Sequence, residues 1–208
     1  MLIKTIELTD VLTTNAYFYI DKESNSGFLI DPACEAEKLL SIISNNGWKI
    51  EKMLITHGHF DHIGAIEQIH NTLNIPYVAH KEAQIYLTDT NWNLSAMTGK
   101  EIILPNAEFL GDGDEIALTA NPSVKLKLIH TPGHTLDGVV FYDEANKVAF
   151  VGDTIFKDSF GATHFPGGDL ATLMQSIKQR IFSLPDETML YSGHTEMTTV
   201  GKEKQNYR

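Results

Sequence analysis

The chain has 208 residues, one cysteine and a formal charge of -11, from 16 Lys plus Arg against 27 Asp plus Glu. With 42% apolar and 21% charged residues it can fill a core, which excludes a disordered tail and a collagen-like fibre. The single thiol, Cys34, excludes a disulfide framework and any zinc site made of several cysteines, so a metal here needs imidazole and carboxylate.

Residues 1–8 and 14–21 read as strands, because apolar and polar side chains alternate along them. The polar stretch 22–27 is a natural hairpin turn before Phe28-Leu29-Ile30-Asp31. The spacing of Leu39, Leu40, Ile42 and Ile43 predicts a helix over 33–45, stopped at Gly47. A short buried strand is expected at 50–56, then a histidine-rich turn and a helix over 62–73 with Ile63, Ile66 and Ile69 on one face. A strand at 76–80 and a helical turn at 81–87 follow. From 88 to 106 the periodicity dissolves, and this stretch reads as a long surface loop, the natural place for a flap over a site.

The second half resumes with strands at 115–120, 125–131, 138–142 and 148–152, the last two joined by the turn D-E-A-N. A helix over 170–182 and a strand at 189–192 complete the layout. No window approaches the roughly 18 apolar residues of a membrane span, and the amino terminus lacks the features of a signal peptide. A cytoplasmic protein with no membrane partner is therefore the default expectation. The surplus of negative charge also argues against a nucleic-acid partner.

Nine histidines are the unusual feature. Thr56-His57-Gly58-His59-Phe60-Asp61-His62 places three imidazoles and a carboxylate in six consecutive positions just after a strand. These side chains suit zinc, iron or manganese, and a turn can aim alternate residues at different points. Three later junctions repeat the design: Thr131-Pro132-Gly133-His134-Thr135, Val151-Gly152-Asp153-Thr154 and Tyr191-Ser192-Gly193-His194-Thr195. In each, a glycine before the possible ligand lets the backbone turn sharply and pass close to a metal. Alone, any one of these residues is more often structural; together they point to a metal site.

Through H-G-H-F-D-H and the later G-H-T, G-D-T and G-H segments, in that order, the sequence resembles the metallo-β-lactamase superfamily, and within it the short bacterial glyoxalase II-like hydrolases. The resemblance implies an α/β fold, a four-layer αββα sandwich with two mixed β-sheets flanked by helices. It implies one domain, 1–208, made of two similar halves, about 1–110 and 111–208. It puts one divalent metal on His57, His59 and His134, and a second on Asp61, His62 and His194, with Asp153 bridging. Zinc is favoured, with iron and manganese open. Asp31 resembles the family's acid that orients a ligand imidazole through its other ring nitrogen, and a plain strand-ending turn residue is the alternative reading.

Two such ions would hold a hydroxide facing an electrophilic carbonyl, so hydrolysis of a small thioester or ester is expected, with Asp61 and Asp153 as the catalytic carboxylates. The substrate side departs from glyoxalase II proper. Its glutathione-contacting cation and tyrosine correspond here to Ala162 and His164, and Glu196 stands where it has another tyrosine. His164, Phe165 and Glu196 are the candidate substrate contacts, and Phe156, Phe160 and Phe165 are candidates for an apolar lining, with core anchors the alternative reading of these aromatic rings. His70, His80 and His130 read as packing or surface residues, and Cys34 as a buried small one. A mononuclear iron enzyme resembling persulfide dioxygenases is an alternative, disfavoured because their G-R-T-D segment reads G-A-T-H here. A metal-binding scaffold without activity is another. β-Lactam and nucleic-acid hydrolysis are disfavoured for want of an export signal and of a basic surface.

Overall fold

The computed structural model describes residues 1–207. Six strands of the first half form one sheet: β1 (Leu2–Thr9), β2 (Thr13–Ile20), β3 (Ser26–Ile30), β4 (Lys49–Leu54), β5 (Tyr77–His80) and β6 (Glu108–Leu110), side by side in chain order. The first three are antiparallel and the last four run parallel, so the sheet is mixed. The second half makes the other sheet from β7 (Glu115–Ala117), β8 (Lys125–His130), β9 (Val139–Asp143), β10 (Val148–Gly152), β11 (Met189–Ser192) and β12 (Thr198–Thr199). Only β10 and β11 pair in parallel there.

Strict alternation along the strands builds three apolar layers. On β2, Phe18 and Ile20 face outward onto α1 (Ala36–Asn46) and α3 (Ile66–Leu73), whereas Tyr17 and Tyr19 face the second sheet. On β10, Phe150 faces the first sheet while Ala149 and Val151 meet α5 (Leu170–Ser176). The layers are therefore helix, sheet, sheet, helix, as the resemblance implied. Large side chains such as Phe150 and Tyr19 are fully buried between the sheets, each worth roughly 1.5–3 kcal/mol of transfer free energy.

Two expected helices are interrupted. The helix expected over 62–73 is split into α2 (Phe60–Ile63) and α3, because the chain at Pro32-Ala33 crosses the break. Ala65 N–H donates to the Pro32 carbonyl, and a Cβ on Gly64 would lie 2.4 Å from the Ala33 oxygen. The helix expected over 170–182 is α-helical only to Ser176 and finishes as a π-turn, Ile177–Ile181, which keeps both isoleucines in the core.

The stretch 88–106 is irregular, as expected, yet tied down. It carries the end of α4 (Gln84–Thr88) and a 3₁₀ turn at Ser95–Met97. Fully buried Asn93 donates to the carbonyls of Tyr86 and Ile102, and its own carbonyl accepts from Phe60 N–H beside the histidine turn. β6 and β12, three and two residues long, were not foreseen, being too short to show alternation. No helix among the described residues is long and apolar enough to cross a membrane.

Candidate metal centre

One edge of the sandwich collects the carboxyl ends of five strands, and each releases a polar residue there: Asp31 after β3, the His57–His62 turn after β4, His134 after β8, Asp153 after β10 and His194 after β11. The register of β10 slips between Phe150 and Gly152, and Gly152 takes φ +48°, so the strand bends as it delivers Asp153. At Gly193 a Cβ would stand 2.3 Å from Asp153 Oδ1 and 2.7 Å from His62 Cε1, so only glycine lets this strand end come so close. Asn15 fastens the same edge from β2. Its N–H donates to the Gly193 carbonyl, and its side chain to the carbonyls of Ser192 and Thr195.

The seven residues converge. His134 Nε2 lies 3.2 Å from His57 Nε2 and 3.0 Å from His59 Nδ1. Beside this trio, Asp61 Oδ2 is 3.6 Å from His62 Nε2 and 3.3 Å from His194 Nε2. Asp153 reaches both groups, with Oδ2 3.2 Å from His194 Nε2 and 3.6 Å from His134 Nε2, and Oδ1 3.4 Å from His62 Nε2. Three overlapping sets have their donor atoms within 4.8 Å of one another: His57, His59 and His134; His57, His62 and Asp153; and Asp61, His62 and His194.

The outer ring nitrogens show how the imidazoles are aimed. His62 Nδ1 faces Asp31 Oδ2 at 2.9 Å, His134 Nδ1 faces the Ala162 carbonyl at 2.6 Å, and His194 Nδ1 faces the Thr13 carbonyl at 2.8 Å. With a proton held there, each Nε2 is the ring nitrogen turned to the centre. Asp31 is buried at φ +48°, and its two oxygens also accept from Thr56 N–H and Thr56 Oγ1. Thr14 Oγ1 donates to Asp61 Oδ2 at 3.2 Å.

Burial holds His57 and His134 below the ordinary histidine range and takes His59 down to about 3, so these rings are neutral and carry free lone pairs. At His62 and His194 burial pulls the same way but is overcome by carboxylates. Asp61, Asp153 and Asp31 raise His62 well above its usual value, and Asp153 and Asp61 bring His194 to about 10. Asp61 and Asp153 stay ionised: burial opposes this, but His62 and His194 outweigh it. His62 Nε2 and Asp153 Oδ1, which face the centre, are buried without hydrogen-bond partners. Clustered lone pairs, two carboxylates and orphaned buried atoms are what a divalent cation satisfies, so these side chains fit the expected metal.

A pH consequence follows. At neutral pH the metal-free protein holds a proton on each of His62 and His194, and a cation must displace them. Loading with Zn²⁺ in weak buffer is expected to release about two protons per chain, and affinity to weaken as pH falls. An indicator dye reads the release, and loading without protons would show both rings already neutral.

The substrate-side candidates divide. Phe165 presents its ring to His59 (centroids 5.7 Å apart), with exposed His164 against it at 4.1 Å, and Phe156 stands edge-on to His194 at 5.8 Å. Phe160 does not line the centre; it lies against Tyr207. Glu196 is on the rim, and its charge is not free, because Lys157 Nζ pairs with it at 2.5 Å. Of the remaining histidines, His70 bonds the Ile75 carbonyl, and buried His80 stacks on His130. Cys34 is partly, not fully, buried, and burial pushes its thiol up to about 11.

Thr14, Asn15, Tyr86 and Asp137 also belong to the centre's surroundings and were missed by motif reading. Burial pushes the Asp137 carboxyl up to about 7. The signal for Asp137 lay in G-H-T-L-D, three residues past His134, while Asn15 and Tyr86 stand in no motif with the histidines.

A family model described as the metallo-beta-lactamase superfamily matches residues 9–194. The chain belongs to the metallo-β-lactamase superfamily. Among its relatives is hydroxyacylglutathione hydrolase GloC of Haemophilus influenzae, 32% identical over 189 residues, spanning 89% of this chain and 87% of that protein. Among solved structures, the B3 metallo-β-lactamase BLEG-1 superposes with TM-score 0.91 at 32% identity, covering 98% of this chain and 97% of its own. TTHA1623, solved in a di-iron-bound form, superposes at 0.84 with 32% identity, covering 98% of each chain. The superfamily membership and the His/Asp cluster together support binding of divalent metal.

Proposed function

We propose that this chain is a metal-dependent hydrolase that cleaves a small thioester or ester with water as the nucleophile. The observation that carries the reading is Asp153, whose two oxygens touch both histidine groups and so suit a carboxylate shared by two cations. His57, His59 and His134 would hold one cation, and Asp61, His62 and His194 the other. Zinc fits the donor set, and iron fits it too, in keeping with the di-iron form of TTHA1623. Divalent cations bound there supply Lewis acidity toward a carbonyl oxygen and bring the pKa of water toward neutrality.

The chain's own residues do the rest. Thr14 Oγ1 steadies Asp61 Oδ2, the oxygen that would hold the second cation beside His62 and His194. His62, His134 and His194 are held in fixed orientations through Nδ1, so little reorganisation accompanies charge development. Phe165 and Phe156 stand edge-on against His59 and His194 and cover those faces of the two rings with apolar surface. No serine or cysteine nucleophile is needed.

The similarity to GloC points to hydroxyacylglutathione-like thioesters, and Ala162, His164 and Glu196 to a weakened grip on glutathione. The double variant Ala162→Lys, Glu196→Tyr is expected to raise kcat/KM for lactoylglutathione by about tenfold, the worth of one charge-assisted hydrogen bond. No gain would show that missing contacts do not explain the departure. The function itself is tested by metal analysis of protein purified without chelator, then a panel of thioesters, esters and lactones. Two metals with anaerobic thioester cleavage support the proposal. One iron with oxygen consumption on a persulfide overturns it. BLEG-1 gives a specific reason to add a β-lactam, and turnover of that compound alone would replace the thioester reading.

A further inference from the structure

The two turns that carry His57, His59 and His134 come from different halves of the chain and different sheets, yet their nitrogens meet at 3.0–3.2 Å. Something must fix one turn against the other. Gly58, between the two histidines of the first turn, donates its N–H to Asp137 Oδ2 at 2.9 Å, across 79 residues. Asp137 stands three residues after His134, so this hydrogen bond ties the tip of one histidine-bearing turn to the other, where Val139 N–H to the Thr56 carbonyl already joins their bases.

Tyr86 closes the other side. A Cβ on Gly58 would lie 2.5 Å from Tyr86 Cβ, so the turn is wedged between that ring and the Asp137 carboxyl. The Tyr86 hydroxyl accepts from Leu136 N–H at 3.0 Å and donates to the Pro166 carbonyl at 3.0 Å, and its ring meets His59 edge-on. The residue before Asp137 is thus gripped by the side chain that blocks Gly58.

A carboxyl is a costly choice for this place. Asp137 is 1% exposed, and its Oδ1 has no hydrogen-bond partner among the described residues. A buried, half-satisfied carboxyl lowers stability, so its place here needs a reason other than packing. We infer that Asp137 is a positioning residue: by holding Gly58 N–H it locks the His57/His59 turn onto the His134 turn and sets the three-imidazole cation site. The inference rests on the cation reading of that trio and is independent of the substrate.

The test compares Asp137→Ala with Asp137→Asn, whose amide oxygen still accepts from Gly58. In the metal-free protein, Asp137→Ala is expected to speed hydrogen exchange at the Gly58 amide by at least about a hundredfold, and to weaken Zn²⁺ binding, measured against a chromophoric chelator, by about 10–100-fold. Asp137→Asn should stay within about threefold of the wild type in both. A merely stabilising residue would lower the unfolding midpoint and leave Zn²⁺ affinity, measured well below that midpoint, unchanged. That result, or an asparagine variant as impaired as the alanine one, overturns the inference. If Asp137→Ala does not fold, Asp137→Ser, one atom shorter, takes its place. A wild type that binds Zn²⁺ and cleaves nothing overturns the hydrolase proposal alone. One that binds no Zn²⁺ overturns the cation reading and this inference with it.

Discussion

Replacing Asp153 with alanine is expected to lower metal content and abolish turnover together, with kcat/KM falling by at least about a thousandfold, or roughly 4 kcal/mol of transition-state stabilisation. The size follows from position. Among the described residues Asp153 is the only carboxylate within 4 Å of His62, His134 and His194 at once, so its loss removes a donor from both groups. It also removes part of the negative field that lifts His194 to about 10, so that ring should titrate lower in the metal-free variant. Metal analysis, a turnover assay and NMR titration of the histidines measure the three effects. Normal activity with full metal content would refute the shared-carboxylate assignment.

The second large effect is expected at Asp31, which lies outside the converging cluster. Its carboxylate accepts three hydrogen bonds in a buried pocket, from Thr56 N–H, Thr56 Oγ1 and His62 Nδ1. Asp31→Ala leaves His62 without its aiming partner and Thr56 N–H unsatisfied, which costs about 3–5 kcal/mol by comparison with other broken buried pairs. Metal affinity should drop about 10–100-fold in addition. Denaturant unfolding of the metal-free variant measures the first effect and chelator competition the second. A variant with wild-type affinity would show that His62 is oriented by its backbone alone. Asp31→Asn, which can still accept from Thr56 but offers no charge to His62, separates the structural part from the electrostatic one.

The two effects also mark where sequence reading succeeds and where it stops. His57, His59, Asp61, His62, His134, Asp153 and His194 could be read as a group because metal chemistry admits few side chains, and each stood directly after a strand-like run, mostly behind a glycine. The strands themselves were legible where both faces were buried or alternated, as on β2 and β10. β6 escaped because three residues, Glu108 to Leu110, carry no period, and it exists only because β5 offers it a parallel partner. The break between α2 and α3 escaped because its cause, the chain at Pro32-Ala33, sits more than thirty positions away in sequence. The same distance hid the fault in the aromatic reading: Phe156, Phe160 and Phe165 share a loop, and only its folded path turns Phe160 toward Tyr207.

By itself, then, the sequence determined the chemical character of the centre and the succession of strands that ends at it, because both are written in residue types and short-range spacing. Only the tertiary structure decided which atoms face inward, that Lys157 pairs with Glu196, and that Asp31, Asn15, Tyr86 and Asp137 support the centre. Those contacts join positions from 25 to more than 170 residues apart, and a hydrogen bond depends on ångström-scale approach, which the order of residues along a chain does not encode.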